Sequence, residues 1–169
     1  MYKRIIILGG IGSGKSTLAN RISLFTGFPA YHLDNILYNS KWERIDKSKW
    51  KEISKQFLSK DTGIVDGNYT TSLPNRIKWA DLIIFVDAST LLQLRRYFRR
   101  IIWVRLGIEK RHGIPEGAKT KFRFKIFNWI LDYNRREKKK IFSMLESAKD
   151  KKIVIIKKPR ELDIKSLLE

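Results

Sequence analysis

The stretch Gly9-Gly10-Ile11-Gly12-Ser13-Gly14-Lys15-Ser16 satisfies G-x-x-x-x-G-K-[ST], the pattern of a phosphate-binding loop (P-loop). An apolar run precedes it and a helix-period segment follows it, which is the context that this motif requires. Its glycines let backbone N–H groups surround an anion, and the helix start adds its positive dipole end. The motif places Lys15 at the β- and γ-phosphates of a nucleotide, Ser16 at Mg²⁺ and Thr17 at the α-phosphate. It therefore predicts ATP and Mg²⁺ binding by Gly9, Gly10, Ile11, Gly12, Ser13, Gly14, Lys15, Ser16 and Thr17.

Around this loop, apolar runs rich in β-branched residues alternate with helix-period segments. The runs predict buried strands at Lys3–Leu8, Ala30–Leu33, Gly63–Val65, Leu82–Val86 and Lys152–Ile156. Helices are predicted at Lys15–Phe25, Ser48–Leu58, Thr90–Val104, from about Thr120 to Ala148, and briefly after Glu161. This alternation indicates an α/β fold with a parallel sheet. The glycine-containing stretch at about 105–123 is typical of a mobile flap, or lid.

Length and composition limit the class of protein. The 169 residues are close to the ~150 that one hydrophobic core supports, so we expect one domain over 1–169. The absence of cysteine excludes disulfide scaffolds, thiolate metal sites and Cys nucleophiles. No apolar run approaches the ~20 residues of a membrane span, and none resembles a signal peptide. We therefore expect a cytoplasmic protein with no membrane partner.

The charge is strongly basic and unevenly distributed. The chain has 36 basic and 17 acidic residues, and residues 95–160 alone hold 22 and 6 of them. Such a region would attract polyphosphates or nucleic acid. Lysines that solvate long helices explain part of the excess equally well. Nucleic acid is therefore an open alternative as a partner.

A P-loop needs a carboxylate on a neighbouring strand to support the metal, and two strand ends supply one. Asp87 ends the longer apolar run, and Asp66 ends a shorter one. The pattern alone favours Asp87. The carboxylate that does not support the metal would have a role that is common for Asp, in a turn or as a helix cap.

Asp34 follows the second predicted strand, at the sheet edge where ligands bind in open α/β folds. A carboxylate there can orient a hydroxyl acceptor and take its proton, whereas it would repel a phosphate. Asp34 is therefore a candidate acceptor residue, with an Asx turn or a helix cap as the alternative. Tyr38 and Trp42 follow, with packing or ring stacking as their roles.

The helix predicted at Thr90–Val104 carries four arginines on an arc of about 140°. No acidic residue is interspersed among them, so the face favours an anionic partner. Apolar residues are expected on the opposite side, namely Leu94, Tyr97, Phe98, Ile101 and Ile102. The four arginines are Arg95, Arg96, Arg99 and Arg100. Arg105 either ends the helix or points into the site, and Arg111 and Arg123, which flank the flap, are candidates for arginines brought in on closure. For each of them, a solvated surface is the alternative role.

Together these features resemble the small P-loop kinases of the adenylate-kinase-like group, and more closely the FlaR-related "DNA topology modulation" proteins. The motifs that carry the resemblance are the P-loop, His32-Leu33-Asp34, Asp66-Gly67-Asn68-Tyr69, Phe85-Val86-Asp87, Arg96 with Arg100, and Trp129 with Tyr133. The resemblance implies a three-layer sandwich with a five-stranded sheet of order 2-3-1-4-5 and helices on both faces. It also implies that Asp66 is the metal-side carboxylate and that Arg96 and Arg100 clamp ATP or the transferring phosphoryl group.

The pattern departs from that group at one place that bears on the substrate. Nucleoside monophosphate kinases continue Asp-Gly with Phe-Pro-Arg, whereas this chain reads Asn68-Tyr69-Thr70. We therefore predict an ATP- and Mg²⁺-dependent kinase that acts on a small acceptor, with Lys15, Asp34, Arg96 and Arg100 as catalytic residues and Ser16 and Asp66 at the metal. A nucleic-acid-associated P-loop ATPase or a polynucleotide kinase is the alternative, and a nucleotide-binding regulator is a third.

Overall fold

The computed structural model describes residues 1–107 and 122–169. Most of the predicted flap, including Arg111, lies outside these residues. The strands are β1 Arg4–Gly9, β2 Ala30–His32, β3 Gly63–Asp66, β4 Leu82–Val86 and β5 Lys152–Ile156. The helices are α1 Lys15–Thr26, α2 Leu33–Leu37, α3 Lys47–Leu58, α4 Leu73–Trp79, α5 Thr90–Arg105, α6 Phe124–Tyr133, α7 Glu137–Leu145 and α8 Ile164–Leu168.

The five strands form one sheet of order β2-β3-β1-β4-β5, with every pair parallel. The predicted α/β class and strand order are confirmed. The central strands are buried over nearly their whole length, as expected where helices cover both faces of a parallel sheet. Because all strands run the same way, their carboxyl ends meet at one edge, where the P-loop, Asp34, Asp66 and Asp87 lie.

A separate hydrophobic core lies on each face of the sheet. On one face, α1 and α8 pack through Leu18, Ile22 and Leu168 against Ile5 and Ile84. On the other face, the core contains buried residues of α2, α3, α4, α6 and α7, including Leu37, Phe57, Ile77, Tyr133 and Ile141. This is the predicted three-layer arrangement. Within the described ranges, no helix is long and apolar enough to cross a bilayer.

The long helix predicted from about Thr120 to Ala148 is wrong, because the described part contains two helices. A turn at 134–136 separates α6 from α7. There the Asn134 side chain donates a hydrogen bond to the Thr90 hydroxyl oxygen, 2.8 Å away, which anchors the turn to the start of α5. Two further helices, α2 and α4, were not predicted, since 5 and 7 residues are too few to show a helical period.

The apolar side of α5 also differs from the expectation. Tyr97 and Ile101 are buried as predicted, but Phe98 and Ile102 are 42% and 54% exposed. Phe98 instead stacks on Phe122 at the outer surface, with their ring centroids 6.1 Å apart. The outer face of α5 is therefore a mixture of arginines and apolar side chains.

Candidate active site

The P-loop connects the end of β1 to the start of α1, so its backbone and the first turn of α1 form one concave surface. The loop fits tightly against α5: a Cβ on Gly10 would lie 2.0 Å from Gln93 Oε1, so a larger residue there would require the Gln93 side chain to move. Gln93 is itself buried and donates to the carbonyl oxygen of Ala88 at 2.8 Å. Lys15 begins α1 and makes no hydrogen bond or ion pair to the described residues. Its ammonium is thus available to an anion in the loop.

Asp66 lies at the end of β3, beside the P-loop, and is 3% exposed. Its Oδ2 accepts a hydrogen bond of 2.5 Å from the Ser16 hydroxyl. Its Oδ1 lies 2.7 Å from His32 Nδ1. Burial acts to raise the pKa of Asp66, but the hydrogen bond from His32 and the positive charge of Lys15 outweigh it and hold that pKa below its usual range. Asp66 is therefore ionised and close to the residue expected to bind Mg²⁺.

Asp87, the alternative carboxylate, has another partner. It forms an ion pair with Lys138 of α7, with 2.7 Å between Oδ1 and Nζ. Since Asp87 is neutralised by a lysine and Asp66 contacts Ser16, the geometry favours Asp66 at the metal. The apolar pattern alone favoured Asp87 because Asp87 ends the longer apolar run.

A cavity of about 440 Å³ is lined by both Lys15 and Asp34. Asp34 lies in the first turn of α2 and accepts a hydrogen bond of 2.5 Å from the Tyr69 hydroxyl. Burial, together with the charge of Asp34, raises the pKa of Tyr69, so the hydroxyl keeps its proton and remains a donor. Asp34 is thus held in place at one end of a cavity that also contains Lys15.

Aromatic and cationic side chains form the rest of this cavity. Tyr38 and Trp129 line it, together with Arg44 and Lys125. Trp42 lies next to Tyr38, with ring centroids 6.0 Å apart, and adopts a φ of 65°, which is unusual for a large side chain. The guanidinium of Arg123 lies 5.4 Å above the Trp42 ring.

A smaller cavity of about 60 Å³ is lined by other residues of the P-loop and by arginines of α5. Arg96 donates to the carbonyl oxygens of Gly12 and Ser13 at 3.0 and 2.8 Å, so it braces the loop from outside. Burial and the neighbouring positive charges lower the pKa of Arg96. Arg105 ends α5, and it does not line this cavity. The lining residues include Gly14, Thr17, Arg21, Arg96, Arg99, Arg100, Pro159 and Arg160. This cationic cavity suits the phosphate-bearing part of a nucleotide.

Asn68 is a site residue that sequence reasoning missed. Its side-chain amide accepts from the Gly9 N–H at 2.9 Å and donates to the Gly9 carbonyl at 2.8 Å. It therefore replaces a strand partner at the point where β1 becomes the P-loop. The available signal was its position, since it follows Asp-Gly where nucleoside monophosphate kinases have phenylalanine.

Arg76 of α4 is a second residue that the sequence did not single out. It is completely buried, and it donates to the carbonyl oxygens of Gly67 and Tyr69 at 2.7 and 2.9 Å. Burial lowers its pKa to about 10, so the side chain is still charged at neutral pH. Arg76 fixes the backbone of the segment that carries Asn68 and Tyr69, and it is not one of the residues that line the cavity of about 440 Å³.

We expect Arg76→Met to lower the free energy of unfolding by about 2–4 kcal/mol, because two buried carbonyl groups would lose a charged donor. Urea denaturation would measure the change. Lys78→Met, at an exposed position of the same helix, is the matched control and should change stability by less than about 0.5 kcal/mol. Equal effects of the two substitutions would contradict the role given to Arg76.

The residues at the P-loop and at the end of β3 fit Mg²⁺ and a nucleoside triphosphate. A hydroxyl and an ionised carboxylate, such as those of Ser16 and Asp66, are the oxygen donors that Mg²⁺ prefers. The P-loop adds inward N–H groups at the start of a 12-residue helix, and Lys15 adds a cation without a hydrogen-bond partner among the described residues.

No protein-family model matches the chain, and a comparison with curated proteins gives no match. Among solved structures, the chain is similar to a deoxyadenosine kinase from M. mycoides, which was solved with the products dCMP and a flexible dCDP bound. The identity is 14%, the TM-score is 0.49, and the alignment covers 97% of this chain and 93% of that one.

Proposed function

We propose that this protein is a kinase that transfers the γ-phosphoryl group of ATP, with Mg²⁺, to a hydroxyl group of a small acceptor. One observation carries the proposal: Lys15 and Asp34 line the same cavity, and the Ser16–Asp66 pair follows directly behind Lys15. A phosphate group in the loop would therefore face a cavity that contains a carboxylate suited to an alcohol. The resemblance to adenylate-kinase-like and "DNA topology modulation" proteins supports the same activity.

Each residue has a role that follows from its position. The P-loop N–H groups and Lys15 would bind the β- and γ-phosphates and stabilise the charge that develops on the transferring group. Ser16 and Asp66 would hold Mg²⁺, which neutralises charge on the phosphate oxygens when bound. Arg96 keeps the loop in shape, and Arg100 lies in the same cationic cavity. Asp34 would orient the acceptor hydroxyl and accept its proton late in the transfer.

The cavity of about 440 Å³, which we call the acceptor-side cavity, also limits which compounds can act as the acceptor. Asp34 would repel a phosphate at the reacting end, which favours a hydroxyl there. Tyr38 and Trp129 offer flat apolar surfaces to a ring, and Arg44 and Lys125 offer charge or hydrogen bonds farther out. A ring-bearing compound with a free primary hydroxyl, such as a nucleoside, combines these features.

The experiment that tests the proposal is an ADP-release assay with Mg²⁺-ATP and a panel of acceptors. The panel contains nucleosides, nucleoside monophosphates, other small alcohols, and single-stranded DNA with a free 5′-hydroxyl. Release stimulated by a small hydroxyl compound, and absent in Lys15→Ala, would support the proposal. Stimulation by DNA alone would favour a polynucleotide kinase, and no stimulation by any acceptor would favour a regulator.

A further inference from the structure

Three hydrogen bonds and one turn of α1 form a closed ring that connects Ser16 and Asp66 to the end of β2. Neither the P-loop motif nor the proposed mechanism assigns a role to all of these contacts. Ser16 donates to Asp66, Asp66 contacts His32 Nδ1, and His32 Nε2 lies 2.9 Å from Asn20 Oδ1. Ser16 and Asn20 are four residues apart in α1, so they lie on the same face of that helix. One turn of α1 therefore closes the ring at both ends.

The position of His32 is fixed by the sheet as well as by this ring. His32 ends β2 and pairs in register with Asp66 on β3. Its ring is mostly buried, with 15% of the side chain exposed. Since Asn20 contacts the far nitrogen, the imidazole is held on both sides, and rotation of the ring would break a hydrogen bond.

This arrangement gives the two carboxylate oxygens of Asp66 different hydrogen-bond partners. Among the described residues, the hydrogen bonds to its carboxylate come from Ser16, at Oδ2, and from His32, at Oδ1. A bound Mg²⁺ would take a lone pair of the Ser16 oxygen while the Ser16 hydroxyl still donates to Oδ2, so His32 is the side-chain donor that fixes the other oxygen, Oδ1. Partners of this kind, which hold a metal-side group from behind, typically change metal affinity by about 10–100-fold.

We infer that His32, held by Asn20, is a positioning residue that fixes the orientation of the Asp66 carboxylate toward the divalent metal of the nucleotide complex. The inference rests on the proposed function, because it assumes that Asp66 supports that metal. The position of His32 in the chain also links it to Asp34, because His32 directly precedes α2, whose first turn carries Asp34. The residue that orients the metal-side carboxylate therefore also anchors the strand end from which the acceptor residue extends.

Two substitutions at one position test the inference. In His32→Asn, the side-chain nitrogen can occupy the place of Nδ1 and still donate to Asp66, whereas His32→Leu keeps the bulk and loses the donor. The readout is binding of Mn²⁺-ADP and of metal-free ADP, measured by Mn²⁺ electron paramagnetic resonance and calorimetry. This measurement needs no acceptor and no turnover.

We expect His32→Leu to weaken Mn²⁺ binding to the ADP complex by about 10-fold or more while metal-free ADP binding stays unchanged. His32→Asn should bind Mn²⁺ within about 3-fold of the wild-type protein. Unchanged Mn²⁺ affinity in His32→Leu, an equal loss of metal-free ADP binding, or a failure of His32→Asn to restore affinity would each overturn the inference. If His32→Leu does not fold, the contrast between His32→Asn and Asn20→Ala, which frees the ring, gives the same test.

Failure of the inference can be separated from failure of the proposed function. A wild-type protein that binds ADP without any dependence on metal would argue against the kinase itself. A wild-type protein that binds Mn²⁺-ADP tightly, with an affinity insensitive to His32, would argue only against the positioning role.

Discussion

Replacing Lys15 with alanine is expected to reduce phosphoryl transfer by at least about 10³-fold, because a cation that neutralises the transferring phosphate would be lost. The fold should remain, since the Lys15 side chain makes no hydrogen bond or ion pair to the described residues. ADP release at saturating ATP would measure the loss, and circular dichroism would check the fold.

Lys47→Ala is a matched control for this prediction. Lys47 is also the first residue of a 12-residue helix, α3, but it is exposed and lies away from the P-loop. The control should keep the wild-type rate. If Lys15→Ala also turned over at that rate, the assignment of the phosphate site would be wrong.

Asp34→Asn is expected to lower kcat by about 10²–10⁴-fold, because an amide cannot accept the proton of the acceptor hydroxyl. The amide retains an oxygen toward the Tyr69 hydroxyl, so the local geometry should be kept. Binding of ATP should change little, since Asp34 lines the acceptor-side cavity and not the cationic cavity. The measurement is kcat and KM for each substrate, with the acceptor identified by the panel above.

Asp46→Asn provides the corresponding control. Asp46 precedes α3, so it too is an acidic residue at the start of a helix, but it is exposed and lines neither cavity. Tyr69→Phe should give a smaller loss than Asp34→Asn, because it frees the carboxylate without removing it. An Asp34→Asn variant with unchanged kcat would exclude the proton-accepting role.

The sequence predicted the sheet well because the relevant signals are local. Each strand is a short apolar run, and the P-loop links one strand to one helix within eight residues. The order of the strands came from the resemblance, and the structure has that order. The predicted helix at about Thr120–Ala148 was wrong because charged and apolar residues keep their period across the turn, which the hydrogen bond from Asn134 to Thr90 anchors.

The candidate site was only partly predictable for a related reason. Lys15, Ser16 and Asp34 belong to recognisable motifs, and their chemistry suggests their roles. Asn68 and Arg76 act on backbone carbonyl and N–H groups, which every residue carries, so side-chain type alone reveals neither of them, and only Asn68 had a positional signal, after Asp-Gly. His32 needed the register of β2 on β3, which appears only when the two strands are paired.

The double hydrogen bond between Asn68 and Gly9 limits how this protein can be redesigned. Asn68 lines the acceptor-side cavity and also holds the beginning of the P-loop. Substitutions of Asn68 that changed the specificity for the acceptor would therefore also change the binding of ATP at the P-loop. The turn that carries Tyr38 and Trp42 is held by its own Asn39, whose side-chain oxygen accepts hydrogen bonds from the N–H groups of Lys41 and Glu43. Variant libraries that aim at new acceptors should therefore randomise the turn that carries Tyr38 and Trp42 and keep Asp66-Gly67-Asn68-Tyr69 unchanged.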